Sequence, residues 1–116
     1  MIVGIGVDLC VVERFEAMVA RRPGLLQRLL TDSEQLLSVP SQAARFAAKE
    51  ALAKALGSPG GMRWRDCEIA KSDAGVPSFV TSGTVAARVD ELGIASIHLS
   101  ISHDGGYATA MVVCEA

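Results

Sequence analysis

The sequence predicts an α+β fold from three observations. A β-branched apolar run opens the chain, an alanine-rich helical stretch occupies its middle, and two strand patterns flank an Asp-Gly pair near its end. With 116 residues there is material for one core and too little for two ordinary domains, so residues 1–116 are expected to form a single domain.

The elements follow in order. Residues 2–7 are apolar at nearly every position, which suits a strand buried on both faces, and Asp8 is expected to end it. Gly4 and Gly6 lack the third glycine of a dinucleotide fingerprint and are expected to permit close backbone packing instead. Val12, Phe15 and Val19 recur at helical spacing over 12–21, and Pro23-Gly24 interrupts before a second apolar turn at 25–30. Thr31-Asp32-Ser33-Glu34 reads as a capping box for a short helix that Pro40 ends. Ser41 is expected to cap the next helix, 42–56, which Gly57 and then Pro59 stop. Beyond Trp64 a strand is expected near 67–71, and Asp73-Ala74-Gly75 signals a turn before a strand near 78–81. Residues 83–92 read as a helix with Gly93 at its end. Strands over 97–102 and 107–113 close the chain, joined by a tight turn in which His103 is the first residue of His103-Asp104-Gly105-Gly106.

Composition narrows the function classes. A net charge of −2 and an isoelectric point near 5.6 argue against a general nucleic-acid binder, so any phosphate site must be local. Cys10, Cys67 and Cys114 are widely spaced and lack a CxxC pair, which points to neither a disulfide framework nor a zinc knuckle and fits a reducing cytoplasm. No stretch approaches the roughly 20 apolar residues of a membrane span, and no basic leader precedes the first strand, so a soluble, unprocessed chain is expected. Hydrophobic residues make up 50% but aromatic residues only 4%. A core of small side chains gains from an oligomer that covers more surface.

Chemistry gathers at three places. Glu50 and Lys54 are four residues apart and share a helix face. On spacing alone they form an exposed ion pair; but the helix is apolar almost all round, and a carboxylate packed against protein needs a cation or a partner. Asp8 serves either as a turn or capping residue or, with Glu50, as one of two oxygen ligands to a hard divalent cation. Near the carboxyl end His98, Ser100 and Ser102 alternate on one side of a strand, with Leu99 and Ile101 on the other, and His103 is either solvated or a donor to a phosphate oxygen. Arg14, Arg21, Arg22 and Arg28 cluster in a short stretch of an acidic chain, which suits an acidic partner, although Glu13 and Glu16 dilute the signal.

Together these residues resemble the holo-acyl-carrier-protein synthase family, the small bacterial phosphopantetheinyl transferases. The matching blocks are Gly4-Ile5-Gly6-Val7-Asp8 with Val11-Val12-Glu13-Arg14-Phe15; the run from Arg45 through Phe46, Lys49, Glu50 and Lys54 to Gly57; Gly75-Val76-Pro77; and Leu99-Ser100-Ile101-Ser102-His103 with Tyr107-Ala108. They span nearly the whole chain, and the middle block is the most specific. The resemblance implies an antiparallel-rich sheet with a long central helix, assembled as a homotrimer with active sites between subunits. It implies transfer of 4'-phosphopantetheine from coenzyme A to a serine of apo acyl carrier protein for fatty acid synthesis, releasing adenosine 3',5'-bisphosphate. Asp8 and Glu50 would hold Mg²⁺, Glu50 would serve as a base, and Lys54 would act on the leaving oxygen. Arg45, Lys54, Gly57, Pro77, Ser102 and His103 would contact coenzyme A, and Arg14, Arg21 and Arg28 would meet the acidic recognition helix of the carrier.

The chain departs from the family pattern in two places. Residues 36–40 form a shorter connection, and Val76 stands where many members carry a basic residue, so one phosphate contact is expected to be absent or supplied elsewhere. Two other classes compete on the residues alone. A non-catalytic module would use the arginines to bind an acidic carrier, and a metal-dependent phosphohydrolase would cleave coenzyme A without an acceptor.

Overall fold

An alanine-rich helix can lie closer to a sheet than any other, and the fold is organised by that contact. A computed structural model describing residues 1–116 gives the order β1 (Ile2–Val11), α1 (Val12–Arg21), α2 (Leu25–Leu29), a 3-10 turn (Glu34–Leu36), α3 (Val39–Ala55), a second 3-10 turn (Trp64–Asp66), β2 (Cys67–Lys71), β3 (Pro77–Thr81), α4 (Gly83–Glu91), β4 (Ser96–Asp104) and β5 (Tyr107–Glu115). The class is α+β, with all strand pairs antiparallel: one sheet in the order β1-β5-β4, and a separate β2-β3 hairpin.

The long helix α3 lies across the inner face of the larger sheet. A Cβ added at Gly4 would stand 1.9 Å from the Ala55 carbonyl oxygen, and one at Gly6 would stand 1.8 Å from that of Ala51. Backbone therefore rests on backbone, which only glycine on the strand and alanine on the helix allow. Around this contact Ala43, Ala47, Ala51, Leu52, Ala110 and Val112 are fully enclosed, and Phe15 closes one end of a cluster of 21 buried residues.

Several sequence expectations are corrected. First, β1 continues through Val11, so Asp8 lies within the strand instead of ending it. Second, β1 is an edge strand with only its inner face covered: Ile5, Val7 and Leu9 are all more than half exposed on the outer face, beside Met111 of β5. Its two-sided apolar character is thus unmet within one chain. Third, Pro40 opens α3 from its first turn, where a missing N–H costs nothing, and does not end the preceding element. Ser38, not Ser41, holds the N-cap position, and the two hydroxyls hydrogen-bond each other at 3.2 Å. The capping box is half made. The Thr31 N–H donates to Glu34 Oε1 at 2.9 Å, but the Thr31 hydroxyl turns to Glu68, and only a 3-10 turn follows.

The fourth correction concerns the closing hairpin. Gly105 and Gly106, with φ of 57° and 81°, form the two-residue turn between Asp104 and Tyr107, so His103 belongs to β4 and not to the turn. Two successive left-handed residues match the twist of the flanking strands. The remaining elements fall where the sequence places them, with β4 and β5 each longer by a few residues. The row His98, Ser100, Ser102 does face out, opposite Leu99 and Ile101, which pack on the core.

Candidate active site

Side chains alternate along β1, so Asp8 shares the inner face with Gly4 and Gly6 and points toward α3. Its strand neighbour on β5 is Ala110, too small to cover it, and the Thr109 hydroxyl fixes the Asp8 carbonyl at 2.8 Å. Because Gly6 brings α3 down onto β1, the helix residues on either side of Ala51 meet Asp8. Lys54 Nζ donates to the Val7 carbonyl at 2.9 Å and to Asp8 Oδ1 at 3.1 Å. Glu50, one turn earlier, forms no ion pair with Lys54 or any other cation.

Glu50 lines a cleft of about 290 Å³ together with Asp8, Cys10, Arg14, Phe15, Met18 and Phe46. Burial pushes its carboxyl above the usual range; the Asp8 charge adds to this and Lys54 opposes it. The Cys10 thiol is raised by burial first and then by the same two carboxylates. Two carboxylates that raise each other's surroundings in negative charge, one of them unpaired, are a fit for a hard cation. No group of three or more histidine, cysteine or acidic side chains converges closely enough to ligate a metal ion by itself. A cation held by two carboxylates must complete its shell with water or substrate oxygens, which is the habit of Mg²⁺.

On its other side Glu50 borders a second cleft, about 260 Å³, with Ala53, Ser58, Pro59, Gly61, Met62 and Trp64. The turn at Gly57 creates it. Gly57, at φ 83°, gives its N–H to Lys54 while Ser58 gives its own to Ala53, the paired bonds of a left-handed helix stop. The chain then folds back past Glu50, and Trp64 packs on Phe46, which packs on Phe15.

The other expected site residues are placed elsewhere. Arg45 is only 7% exposed, yet it makes no ion pair or hydrogen bond and its Nε is enclosed without a partner. Burial lowers its proton affinity, and the Glu34 charge opposes that. His103, opposite Ala108 in register, lines a cleft with Val12, Pro40 and the hairpin tip. Ser102 lies on the outer sheet face, away from Asp8, and Pro77 begins β3. A single chain therefore unites Asp8, Glu50, Lys54 and Arg14, but not Arg45, Ser102, His103 or Pro77. Arg21 and Arg28 are exposed at the end of α1 and on α2.

Two features escaped the sequence. Lys49, beside Glu50, is fully buried, with its Nζ 2.6 Å from Glu34 Oε1 and bonded to the Leu29 and Trp64 carbonyls. A lysine on the apolar side of an alanine helix was the available signal. Arg63 and Arg65 join Arg28 and Trp64 around a further cleft of about 550 Å³. Their alternation in Arg63-Trp64-Arg65 was visible, but its neighbour α2 was not.

Residues 4–112 match a family model described as the 4'-phosphopantetheinyl transferase superfamily. The holo-[acyl-carrier-protein] synthase of Cutibacterium acnes is 52% identical over 115 residues, covering 99% of both chains, and that of Frankia casuarinae is 55% identical over 115 residues, covering 98% of both. The chain belongs to the holo-acyl-carrier-protein synthase family. Its fold agrees. The crystal structure of the synthase from Neisseria meningitidis superposes with a TM-score of 0.90 at 33% identity over the full length of both chains. The Helicobacter pylori synthase in complex with coenzyme A gives 0.83 at 37% identity, covering 96% of this chain and 99% of that one. No helix of this chain is long and apolar enough to cross a membrane.

Proposed function

We propose that Asp8 and Glu50 hold Mg²⁺ for the family reaction, which is this chain's activity: transfer of 4'-phosphopantetheine from coenzyme A to a serine of apo acyl carrier protein. The observation that carries the metal assignment is the Gly6 to Ala51 contact, which sets two carboxylates from different elements into one cleft. When bound, the cation supplies charge neutralisation at the pyrophosphate and polarises the attacked phosphorus.

The chain's own groups divide the remaining work. Glu50, its proton affinity raised by burial and by Asp8, is suited to take the serine proton. Lys54, braced on the Val7 carbonyl and on Asp8, holds its ammonium where it can stabilise or protonate the leaving phosphate oxygen. The unpaired guanidinium of Arg45, buried at a cost that an anion would offset, suits a coenzyme phosphate, as does His103 beside Pro40. Gly57, Ser102 and Pro77 complete the coenzyme contacts in this reading, and Arg14, Arg21 and Arg28 receive the carrier.

The exposed apolar outer face of β1 supports a homotrimer. Ser102 of β4, directed out of the same side of the sheet, would then serve a site shared with a neighbour. Three free, buried cysteines suit a reducing cytoplasm. The test is the mass of apo carrier protein after incubation with coenzyme A and the enzyme. One phosphopantetheine should be added with Mg²⁺ and none with a chelator, and a fully active Glu50→Ala enzyme would overturn the metal assignment.

A further inference from the structure

Six of the eleven basic residues of this acidic chain, Arg14, Arg21, Arg22, Arg28, Arg63 and Arg65, lie on or directly next to α1, α2 and the Trp64–Asp66 turn. The last two are held in place by the fold. Arg65 Nη1 bonds the Gln27 and Leu30 carbonyls, each at 2.9 Å, and so clamps the Trp64–Asp66 turn to the end of α2. The backbone N–H of Arg63 is fixed by the Thr84 hydroxyl at 2.9 Å.

Local acids offset part of this charge, and the Asp66 carboxylate faces the Arg63 charge while its hydrogen bonds go to Thr84. Asp32 is taken by Arg65 at 2.9 Å, and the Asp66 carboxylate, which also lines the cleft, accepts the N–H and O–H of Thr84 at 2.8 and 2.6 Å. Arg28 and Arg63 form no ion pair, and they share one cleft. Met62 and Trp64 line both this cleft and the one bordered by Glu50, so the two clefts adjoin across an apolar rim.

We infer that Arg63 extends the carrier-docking surface beyond Arg28 and takes a further acidic segment of the carrier protein in the cleft the two arginines share. This rests on the transferase reading above. The cleft is open, backed by the Arg65 bonds to α2, and includes Arg28 of that helix, which fits an acidic protein surface better than a small anion. Exposed charges of this kind set association rate and salt dependence more than the chemical step.

The experiment titrates apo carrier protein at saturating coenzyme A with wild type, Arg63→Glu, Arg63→Lys and, as a charge-matched control at the exposed end of β2, Lys71→Glu. Arg63→Glu should raise KM for the carrier about fivefold or more, flatten its dependence on salt, and leave kcat and the KM for coenzyme A unchanged. Arg63→Lys should recover most of the loss, and Lys71→Glu should show none. An unchanged carrier KM in Arg63→Glu overturns the inference, and so does a parallel rise in the coenzyme A KM, which would make the cleft a nucleotide subsite. If wild type modifies no carrier, the transferase reading fails. Direct titration of apo carrier then decides the inference, supported by weaker binding to Arg63→Glu and overturned by equal binding.

Discussion

Lys54 Nζ sits 3.1 Å from Asp8 Oδ1, across the seam between α3 and β1, and not along its own helix toward Glu50. The pair is part-exposed, at 50% and 18% of the two side chains, so it contributes at most about 1 kcal/mol to stability. In the proposed reaction its use is to hold an ammonium beside the reacting phosphate. Lys54→Met should therefore lower kcat by about 100-fold while the melting temperature falls by no more than about 4 °C. Steady-state kinetics and a thermal melt on the same sample check this, and a large fall in stability would make Lys54 a scaffold residue instead.

Glu50 should show the opposite balance. Its folded carboxyl holds a proton more tightly than an unfolded one, because of burial first and the Asp8 charge second. The stability it contributes is therefore present below the ordinary carboxylate range and is lost as pH rises through its raised folded value. Glu50→Gln removes that loss. At neutral pH and without metal the variant should melt above wild type, converging with it in acid, and should transfer no phosphopantetheine. Adding Mg²⁺ should raise the melting temperature of wild type and leave the variant unmoved.

Most of this arrangement was legible because it depends on local chemistry. The glycines of β1, the alanines of α3 and the Gly57 stop each prescribe one backbone geometry, and together they determine that Asp8 meets the helix at Glu50. What the sequence hid was non-local. Nothing near Pro40 distinguishes a helix end from a helix start, since proline suits both, and the apolar outer face of β1 reads the same whether covered by its own chain or by a neighbour. The partner of Lys54 was misjudged for the same reason. Helical spacing offers Glu50, whereas Asp8 becomes available only once the sheet has formed. Arg45, Ser102 and His103 share a motif pattern with Asp8 but not a cleft, because a single chain places them on different sides of the sheet or in separate hollows.

Lys49 supports the site from behind. Its ammonium joins Glu34, the Leu29 carbonyl and the Trp64 carbonyl, while Glu34 also accepts the N–H groups of Thr31 and Ile69. Removing one partner strands the other charge in the interior, so Lys49→Met should cost about 3 to 5 kcal/mol in denaturant unfolding. The double variant Lys49→Met with Glu34→Gln should recover part of that, since glutamine still accepts a backbone N–H without an uncompensated charge. Equal stability of single and double variants would show that the pair is not coupled.

The outer face of the sheet carries the last prediction. Val7, Met111 and Ser100 stand side by side in register, with Leu9, Thr109 and Ser102 in the next row toward the hairpin. A glutamate at Val7 would place a charge in the middle of the apolar part of this face without touching α3, because the Val7 side chain is 58% exposed. If the face is buried between subunits, that charge must be desolvated there, and Val7→Glu should sediment as a folded monomer where wild type sediments as a trimer. Asp8, Glu50 and Lys54 remain intact in such a monomer, but Ser102 points away from them across the sheet. Transfer activity should then fall with the trimer, while Ala17→Glu on the exposed side of α1 should keep the assembly. A monomeric Val7→Glu protein with full activity would place the whole site within one chain.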